Sequence, residues 1–229
     1  MWTTAKIRRQ LARMVGDKPF SIRAFLAFGS RHAVDQCFAR LVKNGEVIRV
    51  ARGLYIKPNS PFPSVAEVAL AKAAAFRRTI VIHGSQAAAF LKLVERSDNE
   101  HLFAVNGCSS SFRFGNQVIR FISTTARKMH LGDSKSGLAI SALWYLGKRL
   151  CTMEIVSMAL ASFGRTDRKQ LEKHADLMPE WMQALLFSIK RYWQERQRLE
   201  YTQENLYGFL EPKASICKKW PLQLSLNSA

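Results

Sequence analysis

Arg31, His32, Gln36, Arg40 and Lys43 fall at helical spacing and carry donors and acceptors suited to base edges and phosphates. An α-helix fits the major groove of duplex DNA, where each base pair shows a distinct donor and acceptor pattern. Gln and Arg pair bidentately with adenine and guanine, and a Lys near the helix end suits a phosphate. Such a helix also needs an apolar seat. Val34, Cys37, Phe38, Leu41 and Val42 supply it at spacings of three and four. Ser30 before the run and Gly45 after it predict a helix over Arg31–Asn44. Glu46 to Lys57 follows directly, with strand formers on either side of Ala51-Arg52-Gly53, and predicts a β-hairpin. It carries Arg49, Arg52 and Lys57. An Arg at a hairpin tip can enter a minor groove or grip phosphates. Taken alone, the polar residues of this helix read better as a solvated face. The helix followed at once by a basic hairpin favours double-stranded DNA as the partner.

Those two elements need a scaffold, and the residues before them predict one. Ile7, Leu11 and Met14 form one face of a helix over Thr3–Met14, ended by Gly16 and Pro19. Ser21 caps a short helix to Phe28, closed by Gly29. Three helices and a basic hairpin predict a winged helix-turn-helix over residues 1–58. Pro58 to Pro63 holds three prolines and reads as a linker. Residues 64–200 then alternate helix and strand. Helices are expected over Ser64–Phe76, from a Ser85 cap to about Val94, and over Lys135–Leu146, Thr152–Phe163, Arg165–Leu177 and Pro179–Leu199. Strands are expected over Thr79–His83 and His101–Val105, with a hairpin over Ser111–Ser123. The fold class is therefore α+β: the N-terminal winged helix-turn-helix, a mixed domain with a small sheet and several helices, and a C-terminal tail over 201–229.

Charge points the same way. The 229 residues carry a formal net charge of +18, and residues 1–57 hold twelve Lys and Arg against three acids, a net of +9. A balance of that size points to a polyanionic partner. A second basic group, Arg120, Arg127 and Lys128 with His130, lies on or after the second hairpin and is a further candidate for phosphate contacts. In the last helix Trp181, Leu185, Ile189, Tyr192 and Trp193 share a side that suits core packing or a partner face.

Other function classes find less support. Four scattered Cys and five dispersed His lack metal-ligand spacing, so no metal or other cofactor is expected. Cys37 and Cys151 read as small core residues. Neither a nucleophile elbow nor a phosphate-binding Gly-rich loop is present, and no catalytic residue is expected. No apolar run has the length of a membrane span, which with the free thiols leads to the expectation of a cytoplasmic protein.

The run PFSIRAFLAFGSRHAVDQCFARLVKNGEVIRVARGLYIKP, Pro19 to Pro58, resembles the N-terminal winged-helix domain of AbiEi-type antitoxins of type IV toxin–antitoxin systems. Their pattern is a helix ending in a Leu-Val-Lys-like step, a Gly, and an Ile-Arg-rich strand leading to Arg-Gly-Leu-Tyr. The likeness continues in HGSQAAAFLKL (His83–Leu93), FRFGNQVIRFISTTARKM (Phe112–Met129) and SGLAISALWYLGK (Ser136–Lys148), and so covers roughly residues 3–150. Cys151 to Ala229 departs from it. The resemblance implies a bacterial autorepressor that binds inverted repeats in its own promoter as two copies, and an antitoxin to a nucleotidyltransferase-like toxin. Three rival readings are a stand-alone transcription regulator, a protein-interaction module, and an RNA-binding protein, which would prefer single strands or A-form duplex.

Overall fold

The computed structural model describes residues 3–14, 17–95, 99–191, 194, 195 and 198. It divides into two compact units, Met1–Gln183 and Ala184–Ala229. The expected tail over 201–229 lies outside the described residues, as do Tyr192 and Trp193 of the aromatic stripe. Secondary structure is mixed α+β with two small sheets.

The first elements form much as their caps and periods dictate. Helix α1 spans Thr3–Arg13 and buries Ile7 and Leu11. Strand β1 is the pair Phe20–Ser21, and the next turn, Ile22–Phe28, is 3₁₀ rather than α. The Ser21 hydroxyl accepts the Arg23 N–H at 3.2 Å. Helix α2 spans Arg31–Lys43; the Ser30 hydroxyl accepts the Ala33 N–H at 3.3 Å. Its seat is Val34, Cys37, Phe38 and Leu41, all buried, while Val42 is exposed. Strands β2 (Ile48–Ala51) and β3 (Leu54–Ile56) pair antiparallel around Arg52-Gly53. Gly53 has φ 76°, a conformation the turn needs and a side chain resists. β1 completes a sheet of order β1-β3-β2, with Phe20 opposite Tyr55. Arg8 grips Glu46 through two hydrogen bonds of 2.8 and 2.6 Å, tying α1 to the segment that leads into β2.

Helix α3 spans Val65–Ala74 behind a reciprocal cap: the Ser64 hydroxyl accepts the Glu67 N–H at 3.3 Å, and the Glu67 carboxylate accepts the Ser64 N–H at 2.8 Å. Strands β4 (Ile80–Ile82), β5 (Glu100–Val105), β6 (Ser110–Phe114) and β7 (Gln117–Ser123) form a sheet of order β4-β5-β7-β6, in which β5 and β7 run parallel. Helices α4 (Gly84–Phe90), α5 (Ala126–Met129), α6 (Lys135–Leu146), α7 (Met153–Leu160) and α8 (Arg165–Lys173) complete the elements, with a 3₁₀ turn at Ala175–Leu177. Residues 180–191 are helical. Two local expectations are corrected. The cap of α4 is His83, whose ring nitrogen accepts the Ser85 N–H at 3.3 Å, not Ser85. The helix closes at Phe90 instead of about Val94, because Lys92 turns left-handed at φ 59° and the Leu93 N–H reaches back to the Ala88 carbonyl.

The proline-rich stretch at 58–63 does not divide two cores. Tyr55 points into the cluster of Phe20, Phe25, Phe38 and Leu41. Leu54 and Ile56, with Val50 and Ala51, point the other way, into a core shared with Val68, Ala69, Ala73, Ile80, Val105, Ile119 and Phe121. Alternation along one strand thus gives the hairpin two buried faces. The boundary expected between 58 and 64 is crossed by packing, and residues as far as Gln183 belong to one unit.

Two helix starts hold carboxylates below their ordinary titration range. The Ser64 amide and hydroxyl hold the Glu67 carboxyl below its ordinary value, and the Gly164 amide with Lys135 does the same for Asp167. A carboxylate lowered on folding stabilises the folded state fully above the ordinary carboxylate range, and that stabilisation disappears as pH falls through the lowered value. Thermal melts of wild type below about pH 4 should therefore fall more steeply than those of an E67Q/D167N double variant. Parallel pH profiles would refute this account of the caps.

Candidate nucleic-acid interface

The exposed surface of α2 carries two stripes. His32, Gln36, Arg40 and Lys43, at spacings of four, four and three, lie exposed along the outer one. His32 and Gln36 bond ring nitrogen to amide at 2.8 Å, and the Arg40 guanidinium reaches back to the Gln36 carbonyl at 3.4 Å. These side chains are ordered by their neighbours one turn away. The second stripe is Arg31, Asp35, Ala39 and Val42, which faces a groove of about 730 Å³. Arg31 and Asp35 pair at 2.8 Å across one helical turn.

The far wall of that groove is the hairpin. Arg49 and Arg52 are exposed on it and line the groove. Tyr55 sits at its base; burial pushes the phenol up from its ordinary value. Two further cations line the groove and carry no signal in the local sequence pattern. Arg23 comes from the 3₁₀ turn, with its guanidinium 4.6 Å from the Phe76 ring centre. Lys72 comes from α3 and donates to the Arg52 carbonyl at 2.6 Å. Its ammonium is held below the ordinary lysine range, first by burial and then by Arg52 and Arg49.

The remaining candidates are placed elsewhere. Lys57 is half-buried and donates to the Met14 carbonyl, closing the end of α1 onto β3 instead of extending the hairpin's basic tip. Arg120 pairs with Glu100 across β5 and β7. Arg127 donates to the carbonyls of Leu177 and Met178 at 2.9 and 2.6 Å and clamps the 3₁₀ turn at Ala175–Leu177. Lys128 lies 4.8 Å from the Trp144 ring centre. The expected second phosphate surface is thus drawn largely into internal contacts.

Chemically, the assembled region has an outer helical face with amide, imidazole and guanidinium donors, and beside it a groove walled by five cations and one carboxylate. Such a face suits base edges, and such a groove suits an anion. Among the described residues, no helix is long and apolar enough to cross a membrane. No curated protein matches the chain. The helix, hairpin, groove and second sheet all fall within residues 6–166, which match the model of DUF6088, a family of unknown function, and the chain belongs to that family.

Proposed function

We propose that the protein is a winged helix-turn-helix that binds double-stranded DNA and represses its own promoter, with α2 in the major groove and the β2–β3 hairpin against the flanking backbone. The observation that carries this reading is the exposed row His32, Gln36, Arg40 and Lys43 beside the cationic hairpin residues Arg49 and Arg52. The element order supports it too: helix, short strand, turn, helix, hairpin, with the short strand joined to the hairpin's return strand. Gln36 and Arg40 read bases, while Lys43, Arg49 and Arg52 meet phosphates. Two copies on an inverted repeat match the symmetry of such an operator. The resemblance to AbiEi-type antitoxins supports a second role, neutralising a nucleotidyltransferase-like toxin, for the part beyond the hairpin.

Binding to the duplex upstream of the protein's own gene, beside a scrambled duplex and across a salt series, tests the first role. The native site should bind about 10³-fold or more tighter, with a steep negative dependence on salt. Equal binding to both duplexes, or none, would sink it. Co-expression with a toxin encoded beside the gene tests the second: growth restored by the wild-type chain and retained by an R40A/R52A variant would separate neutralisation from DNA binding.

A further inference from the structure

We propose that the groove between α2 and the hairpin is a phosphate channel lined also by Arg23 and Lys72, so that the 3₁₀ turn and α3 help grip one strand of the DNA backbone. This rests on the duplex-binding reading above and adds to it a contact from outside the helix–hairpin pair.

Five cations, Arg23, Arg31, Arg49, Arg52 and Lys72, converge on this groove, and Asp35 is the one carboxylate among its lining residues. Asp35 already pairs with Arg31. Arg23, Arg49, Arg52 and Lys72 therefore share the groove with no carboxylate among its lining residues left to balance them. Like charges gathered this closely disfavour one another, and a phosphodiester placed among them reverses the sign of the interaction. Burial first, and then the neighbouring Arg52 and Arg49, disfavour the charged form of Lys72.

The geometry is also preorganised. Lys72 comes up from α3 beneath the hairpin and fixes the turn by bonding the Arg52 carbonyl at 2.6 Å. One of its three N–H donors is used there, which leaves the ammonium able to take a second acceptor. Arg23 is steadied against the Phe76 ring at 4.6 Å. A fixed hairpin turn and a guanidinium held on an aromatic face lose little freedom on binding. The cations come from three separate parts of the chain, the 3₁₀ turn, α2 with the hairpin, and α3. No local sequence pattern requires them to meet.

The test uses the full-length chain and a labelled duplex from upstream of its gene, with a scrambled duplex beside it. Each phosphate contact removed should flatten the slope of log affinity against log salt by about 0.9. R23Q and K72Q should each show that flattening, equally on native and scrambled duplex, so that affinity lost between 50 and 200 mM salt shrinks roughly threefold per contact. K72R should restore the slope. Arg23 is exposed, so R23Q keeps the test valid if K72Q unfolds, which thermal melts reveal. If R52Q flattens the slope while R23Q and K72Q leave it at the wild-type value, the channel is wrong and duplex binding stands. If wild type binds no duplex, both fall. Pyrophosphate that raises the melting temperature of wild type but not of K72Q or R23Q, in a protein that ignores duplex DNA, would assign the groove to a free anion instead.

Discussion

Phe38→Ala should cost about 3–5 kcal/mol, a large part of the roughly 5–15 kcal/mol that holds a domain together. Phe38 is fully buried at the centre of the first core. Its ring lies 5.1 Å from that of Phe25, 4.8 Å from that of Tyr55 and 6.5 Å from that of Phe20. Those partners come from the 3₁₀ turn, β3 and β1, so the cavity would open where these three elements meet α2. Truncation also removes tilted and edge-on ring contacts, which add to the area term. F38L keeps most of the volume and should lose far less. Urea denaturation of both variants checks this. A loss below about 1 kcal/mol for F38A would mean that α2 is not seated through this ring.

Gly137→Ala should destabilise by about 3 kcal/mol, against the sign of helix propensity, which favours Ala over Gly by about 1 kcal/mol. Gly137 lies in the first turn of α6, and a Cβ there would fall 2.1 Å from the Leu131 carbonyl oxygen and 2.7 Å from that of Gly132. Both obstacles are backbone, so no rotamer change relieves them. The Ser134 hydroxyl accepts the Gly137 N–H at 3.1 Å and holds the helix start in place. The melting temperature decides between the two forces. A rise would show that α6 can step away from the Leu131–Gly132 segment.

What the residues announce in advance is local. Ser21, Ser30, Ser64, Ser134 and Thr152 cap helices because a hydroxyl accepts an amide two or three residues on, and that chemistry is written in adjacent positions. The two-residue β1 is too short for any period to reveal. The four-residue α5 escapes for the same reason. His83 as a cap depends on which ring nitrogen faces the Ser85 amide, a matter of packing against Tyr145.

The basic residues divide in the same way. Arg49 and Arg52 are placed by the hairpin itself, so their exposure follows from local pattern. Lys57, Arg120 and Arg127 look alike in sequence. Their partners, the Met14 carbonyl, Glu100 and the carbonyls around Leu177, lie 20 to 50 residues away in the chain. Lys72 shows the converse: a lysine in an Ala-rich helix reaches the groove because α3 packs under the hairpin. The run Val50-Ala51 and Leu54-Tyr55-Ile56 did carry a clue that 58–63 is not a hinge. Consecutive buried residues mark a strand covered on both sides.

That doubly covered hairpin governs how the molecule can be cut, fused or inherited. A fragment ending near residue 58 would lay Leu54, Ile56, Val50 and Ala51 open to water, so it would be sticky and poorly formed. Recombination that swapped the first sixty residues onto another body would have to match Val68, Ile119 and Phe121 at the seam. The hairpin and the β4-β5-β7-β6 sheet share one core, so neither can be repacked without the other.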